Sequence, residues 1–143
     1  MDGLTFVSRM RDFGENYPPI AEFVDFKIDL VERGRLTGSG LPGAHHYNPM
    51  NVVHGGFAST LLDLALGLVS FTVLDDMAYG PSTTDLNVKY LRSIHADSGR
   101  LIWDSSVLHA GKRVVIAEAY LRDSEGRLTA TAQSTCLIVR RRE

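Results

Sequence analysis

Residues 51–74 read NVVHGGFASTLLDLALGLVSFTVL and place one acidic side chain, Asp63, inside an almost wholly apolar run. The part from Phe57 to Leu74 is 18 residues long, close to the lower limit of about 17–25 residues for a membrane-spanning helix. A carboxylate near the centre and several hydroxyl side chains within the run indicate instead a helix enclosed by protein. We therefore predict a long buried helix and no membrane span.

The composition bounds the class of protein. A chain of 143 residues has the size of one domain, and its net charge of −2 provides no broad positive field for nucleic acid or an anionic membrane surface. A single cysteine, Cys136, favours a reducing compartment, and the N-terminus lacks the pattern of a secretory signal. We expect one domain over residues 1–143, a cytoplasmic location, and neither nucleic acid nor a membrane as partner.

The first residues predict a short amphipathic helix. Leu4, Val7 and Met10 recur at helical spacing after Asp2, a good N-cap residue, and Gly14 is a typical helix stop. This helix and its lead-in to the next element occupy residues 1–20.

Six further segments predict strands, because apolar and polar residues alternate along them. They span residues 22–32, 35–41, 84–92, 99–111, 112–123 and 126–140, with turns at 32–34, 110–112 and 124–126 and a break at Gly80-Pro81. The last four favour an antiparallel meander. One apolar helix and a surplus of strands predict an α+β fold in which the sheet curves around the helix, with edges that a second copy would cover.

The start of the long helix has the features of an anion site. His54-Gly55-Gly56 opens it, so backbone N–H groups without helical acceptors project there at the positive end of the helix dipole. Glycines allow a ligand's carbonyl oxygen to approach these groups closely. Asn48, in the preceding loop, can add a side-chain amide.

Asp63 follows Gly56 by seven residues, about two helical turns, so both project from the same side of the helix. A carboxylate in a low-dielectric setting either has a raised pKa or accepts hydrogen bonds, for which Ser59 and Thr60 are the nearby donors. Either setting suits a general base or nucleophile. The alternatives are an Asp63 satisfied by hydroxyls at a subunit contact and a Gly55-Gly56 pair that only forms a tight turn.

The string from Asn48 through His54-Gly55-Gly56 to Thr60-Leu-Leu-Asp63 resembles the hotdog-fold acyl-CoA thioesterases, in particular the PaaI-like enzymes of phenylacetate pathways and thioesterase superfamily member 2. The resemblance extends over about residues 40–140. It implies a central helix wrapped by an antiparallel sheet, a homodimer at least, and often a homotetramer. It also implies a homodimeric active site with no cofactor and no metal.

The resemblance assigns roles residue by residue. Asp63 corresponds to the acidic residue that activates water or attacks the thioester carbon, and the Gly55 amide to the group that polarises the thioester carbonyl. Asn48 corresponds to a group that orients substrate, and Thr83 to a hydroxyl that helps hold water. Asp63 and Thr83 would come from one protomer, and Asn48 and Gly55 from its partner.

Two positions depart from the family pattern. Asn51 stands where relatives commonly have glycine, and since asparagine tolerates positive φ, the same turn can form. Thr83 stands where many relatives have serine, so the hydroxyl is kept and a methyl group is added.

Further residues are candidates for binding the substrate. His54, Gly56 and Thr60 flank the predicted site, and cationic side chains could meet the phosphates of coenzyme A. These are Lys89, Arg92 and Arg113, with Lys112 and the run Arg140–Arg142 as further candidates. The acyl pocket has four candidate lining residues that could equally be core: Phe57, Leu61, Phe71 and Met77.

Competing chemistries have weaker support. His45 and His46 are adjacent, without ligand spacing to Cys, Asp or Glu, so we predict no metal site. A hotdog hydratase would need an Asp and a His where this chain has His46 and Asn51. We predict an acyl-CoA thioesterase acting on an aryl or medium-chain acyl group, and a non-catalytic acyl-CoA-binding hotdog module is the alternative.

Overall fold

The computed structural model describes residues 1–143 and has two α-helices and one six-stranded sheet. The helices are α1 (Gly3–Phe13) and α2 (Gly55–Phe71). The strands are β1 (Lys27–Glu32), β2 (Arg35–Gly40), β3 (Tyr79–Tyr90), β4 (Leu101–Ala110), β5 (Val114–Arg122) and β6 (Leu128–Arg140). The α+β prediction is confirmed.

Helix α2 lies across the concave face of the sheet and contacts β2 through β6. Nine of its 17 residues are buried, and leucines 61, 62 and 66 are fully inaccessible to solvent. Each fully buried leucine contributes about 1.5–3 kcal/mol relative to an exposed one, so the apolar run itself anchors the helix. No helix of the structure is both long enough and apolar enough to cross a bilayer.

Helix α1 forms as its sequence predicts and packs on the C-terminal half of α2. The Asp2 carboxylate accepts from the Thr5 N–H at 2.8 Å, and Gly14 ends the helix at φ 69°. The Gly3 N–H donates to the Leu74 carbonyl at 2.8 Å. A Cβ at Gly3 would lie 1.7 Å from the Phe71 carbonyl oxygen, so only glycine permits this close approach of the two helices.

Two local predictions are wrong. Residues Pro19–Val24 form a 3₁₀ helix, which ends at Asp25 with φ 48°, so β1 starts only at Lys27. The consecutive prolines before this segment favour a turn over the extended alternation that the sequence displays. Gly80-Pro81 lies within β3 and not at a break, because an edge strand tolerates a proline.

The predicted antiparallel meander of the last four strands is also only partly correct. The sheet order is β1-β2-β4-β5-β6-β3, with antiparallel neighbours throughout. Strands β4, β5 and β6 are a meander, but β3 pairs with β6, at the opposite end of the sheet from β1. Helix α2 connects β2 to this far strand, so the sheet wraps the helix from both sides and leaves β1 and β3 as its edges.

Candidate active site

Asp63 projects from the middle of α2 and is only partly buried. Its Oδ1 accepts a hydrogen bond from Thr83 Oγ1 at 2.9 Å, the one hydrogen bond that the carboxylate makes within the chain. Thr83 is paired with Cys136 across β3 and β6, and its hydroxyl lies 3.8 Å from the Cys136 sulfur. The strand pairing therefore holds the hydroxyl against the carboxylate and leaves Oδ2 free.

The predicted hydrogen-bond donors to Asp63 are wrong. Thr60 Oγ1 donates to the Gly56 carbonyl at 2.8 Å, and Ser59 Oγ lies 2.5 Å from the Tyr90 hydroxyl. Serine and threonine within helices commonly bond the carbonyl four residues earlier. The donor to Asp63 comes instead from an edge strand twenty residues further along the chain.

A cavity of about 550 Å³ opens beside Asp63 between α1, α2 and β3. Asp63 is the only charged side chain among those that line it. The lining residues are Phe6, Met10, Asn16, Pro18, Ile20, Ser59, Thr60, Asp63, Leu64, Gly67, Leu68, Phe71, Pro81, Thr83 and Leu86. Of the four candidate pocket residues only Phe71 is among them, whereas Phe57 and Leu61 belong to the core.

The start of α2 opens into a different cavity, of about 320 Å³, which Gly55, His54 and Arg92 line. The Gly56 N–H donates to His54 Nδ1 at 2.8 Å, so the His54 side chain caps the helix. The Gly55 N–H has no acceptor within the chain. This leaves one backbone donor at the positive end of the helix dipole for a ligand oxygen.

The loop before α2 is held by its own side chains. Asn48 Oδ1 accepts from the Met50 N–H at 2.8 Å and the Val52 N–H at 3.4 Å, which leaves the NH₂ group of that amide free. Asn51 has φ 59°. It therefore adopts the positive φ that asparagine was predicted to tolerate at this position.

His46 anchors this loop to the rest of the chain. Its Nδ1 accepts from the Gly43 N–H at 3.0 Å, so the proton is assigned to Nε2, which lies 2.7 Å from the Phe23 carbonyl. The His46 carbonyl accepts from the His54 N–H at 2.8 Å. Burial lowers the pKa of His46, so the neutral ring is favoured in the folded state.

The structure separates the predicted site residues into groups. Asp63, Thr83 and Thr60 line the larger cavity, and Gly55, His54 and Arg92 line the smaller one. Lys89 lies in another depression, beside Glu118, and Arg113 is exposed just before β5. Within a single chain, the carboxylate and the free Gly55 N–H face different spaces.

The family comparison agrees with this architecture. The model of the thioesterase superfamily matches residues 50–130, which include all of α2 and the strands β3 to β5. The chain belongs to the thioesterase superfamily. The fold is the hotdog, as the resemblance implied.

The chain is similar to several individual proteins. It is similar to the medium/long-chain acyl-CoA thioesterase YigI of Escherichia coli K12, with 31% identity over 62% of this chain and 63% of that protein. A phenylacetic acid degradation-related protein of Ralstonia eutropha JMP134 has a TM-score of 0.82 at 29% identity, over 91% of this chain and 97% of that one. The Streptococcus mutans protein smu.793, solved bound to acetyl CoA, has a TM-score of 0.77 at 22% identity, over 90% and 100% of the two chains.

Two features of this thioesterase-superfamily site have no signal in the sequence. The Tyr90 hydroxyl donates to the Gly55 carbonyl at 3.1 Å and joins the start of α2 to the end of β3. Phe6 and Met10 of α1 form one wall of the larger cavity. Helical periodicity identified the apolar face of α1 but could not reveal that part of this face borders a cavity.

Proposed function

We propose that the protein is an acyl-CoA thioesterase, which hydrolyses an acyl-CoA to the free acid and coenzyme A. The observation that carries this proposal is the Asp63–Thr83 pair, with its free carboxylate oxygen, at the side of a largely apolar cavity. A carboxylate that a neighbouring hydroxyl orients is suited to general-base or nucleophilic catalysis. The shared core of α1 and α2 supports the further inference that residues 1–143 form one domain.

The protein must activate a nucleophile and stabilise the oxyanion, and Asp63 can perform the first of these tasks by either of two routes. As general base, Asp63 takes a proton from water while the water oxygen attacks the thioester carbon, and collapse of the tetrahedral intermediate expels the coenzyme A thiolate. As nucleophile, Asp63 attacks that carbon itself and displaces the coenzyme A thiolate, and water then hydrolyses the resulting anhydride to the free acid and the regenerated Asp63 carboxylate. In both routes Thr83 orients the carboxylate, and a backbone N–H stabilises the oxyanion.

We infer that this N–H is contributed by Gly55 of the partner subunit. Gly55 and Asp63 line separate cavities within one chain, whereas β3, on which Thr83 lies, has one unpaired edge along its 12 residues. Such an edge is suited to pairing with a second copy. A homodimer is therefore the smallest active unit, and a homotetramer would pair two such dimers.

The smaller cavity suits the coenzyme A moiety. Arg92 lines it beside Gly55 and makes no salt bridge, so its guanidinium is available for a phosphate. His54 and Gly56 border the same helix start, and the free amide of Asn48 can orient the acyl carbonyl. Lys89 and Arg113 line neither of the two cavities, so their contact with a phosphate stays a prediction.

The comparisons support this proposal at the level of the family. YigI, by its name, acts on medium- and long-chain acyl-CoA, and the hotdog fold of smu.793 holds acetyl CoA. A non-catalytic acyl-CoA-binding module would use the same cavities, but it would have no use for an oriented carboxylate at the acyl carbon.

Thiol release from a panel of aryl- and alkanoyl-CoA esters tests the proposal. Asp63→Asn should lower kcat/KM by about 10²–10⁴-fold, the usual contribution of a positioned acid or base. Asp29→Asn is the matched control, because Asp29 is an exposed carboxylate on β1 that lines neither cavity. Saturable binding without turnover in the wild type would establish the binding module instead.

Mixed dimers test the shared site. Co-expression of Asp63→Asn and Gly55→Pro chains yields heterodimers with one intact composite site, so the mixture should retain about one quarter of wild-type activity. A site built within one chain would leave every dimer inactive.

A further inference from the structure

We propose that Gly67 determines acyl-group selectivity, because it keeps open the middle of the cavity that extends from Asp63 to the end of α2. This inference rests on the proposed thioesterase function and names the class of acyl group: apolar along its chain and long enough to pass Gly67.

The cavity changes character along α2. Ser59, Thr60 and Asp63 are its polar side chains on the helix, and the lining becomes apolar beyond them with Leu64, Leu68 and Phe71. No cationic side chain lines the cavity. The lining beyond Asp63 therefore favours an apolar acyl chain, which is stabilised by the surface that it removes from water.

Gly67 lies one helical turn beyond Asp63, about 6 Å along the axis, and it lines the cavity. A Cβ built at Gly67 would have no atom within 4 Å. Packing therefore does not require glycine here, in contrast to Gly3, where a Cβ would clash with backbone. Glycine inside a helix also costs about 1 kcal/mol relative to alanine, so what this residue provides is space.

Two aromatic rings, over which the Arg141 guanidinium lies, line the cavity beyond Gly67. Phe6 of α1 and Phe71 of α2 have ring centroids 5.4 Å apart, and Phe71 lies about 12 Å beyond Asp63 along the helix. A two-carbon acyl group ends before Gly67, whereas a medium chain must pass it to reach the rings. A side chain at residue 67 would therefore obstruct the longer substrate and spare the shorter one.

The test compares kcat/KM for octanoyl-CoA and acetyl-CoA in the full-length wild type, Gly67→Leu and Gly67→Ala. Each methylene excluded from the cavity lowers binding about fourfold, so Gly67→Leu should lower the octanoyl-to-acetyl ratio at least about tenfold. Gly67→Ala should lower it by about twofold to fourfold and should raise the melting temperature, since alanine favours the helix. Retained acetyl-CoA hydrolysis shows that a variant is folded. If Gly67→Leu does not fold, the comparison of Gly67→Ala with the wild type tests the inference.

The outcomes separate this inference from the proposed function. An unchanged ratio, or an equal loss with both substrates, overturns the role of Gly67 while the thioesterase remains. If the wild type releases thiol from no ester of the aryl and alkanoyl panel, the proposed function fails. Binding of a non-hydrolysable octanoyl-CoA thioether then decides about Gly67: a tenfold weakening in Gly67→Leu supports its role in shaping the cavity, and unchanged binding overturns it.

Discussion

The two ends of α2 differ in how they are held and in what they leave free. At the N-terminal end, side chains satisfy the backbone: His54 Nδ1 accepts from the Gly56 N–H, and Tyr90 donates to the Gly55 carbonyl. The Gly55 N–H remains without an acceptor. At the C-terminal end α1 packs so closely that Gly3 is required, and what remains free is apolar volume.

The N-terminal end of α2 therefore offers a group for catalysis, and the C-terminal end offers a surface for recognition of the acyl chain. A free N–H at a helix start is a fixed partial positive charge that needs no reorganisation when an oxyanion forms. An apolar cavity contributes in proportion to the surface it removes from water. Asp63 lies at the polar end of the apolar cavity, and in the proposed dimer the oxyanion donor beside it is Gly55 of the partner subunit.

Among changes that separate the two ends of α2, the largest expected effect comes from removing the N-terminal donor. Gly55→Pro deletes the N–H at the first helical position, where proline is well tolerated, and should lower kcat by about 10²–10³-fold. Gly55→Ala is its control, since it adds a Cβ at the same distance of 3.1 Å from the Tyr90 ring but keeps the N–H. Equal losses in both variants, measured by thiol release, would show that crowding and not the donor matters.

The next effect concerns the group between the two ends. Thr83→Val keeps the shape of the side chain and removes the hydrogen bond to Asp63. Hydrogen bonds to charged groups contribute about 1.5–3 kcal/mol, so kcat/KM should fall about tenfold to a hundredfold. Thr83→Ser should retain most of the activity, and a Val variant as active as the Ser variant would remove Thr83 from the mechanism.

A third change targets the C-terminal end alone. Gly3→Ala forces α1 away from the Phe71 carbonyl and should destabilise the fold by about 1–3 kcal/mol, seen as a lower melting temperature. The octanoyl-CoA preference should fall more than acetyl-CoA hydrolysis, because Phe6 and Met10 move with α1. Gly14→Asn, at the open end of the same helix, should leave the preference intact; if it does not, the preference does not depend on docking at Gly3.

The smallest effect is a pH dependence of the protein's stability that arises from His46, in the loop before α2. Burial lowers the pKa of His46 in the folded protein, so the unfolded chain binds more protons in the acid range. The contribution of His46 to stability is therefore fully present above its unfolded pKa of about 6.5 and is lost as the pH falls below that value. Urea unfolding at pH 7.5 and 5 should show the loss, and His46→Gln, which has no titratable ring, should show a smaller one. An equal loss in both proteins would assign it to other groups.

Local patterns were sufficient for the two α-helices, although they misplaced the start of β1 and a break at Gly80-Pro81. The apolar run with Asp63 at its centre predicted α2, and the Asp2 and Gly14 pair predicted the ends of α1. The family resemblance indicated that Asn51 could adopt the positive φ of a glycine, and it does. Each of these depends on neighbours a few residues away, because helix caps, turns and amphipathic periodicity are short-range properties of the backbone.

Only the tertiary structure decided which of these elements meet. The donor to Asp63 is Thr83 and not the adjacent hydroxyls, because β3 pairs with β6 at the far edge of the sheet. The same placement separates Gly55 from Asp63, and the docking of Gly3 on Phe71 turns α1 into the wall of a cavity. Such contacts join residues far apart in the chain, and they follow from how the whole sheet closes on the helix, which no local pattern encodes.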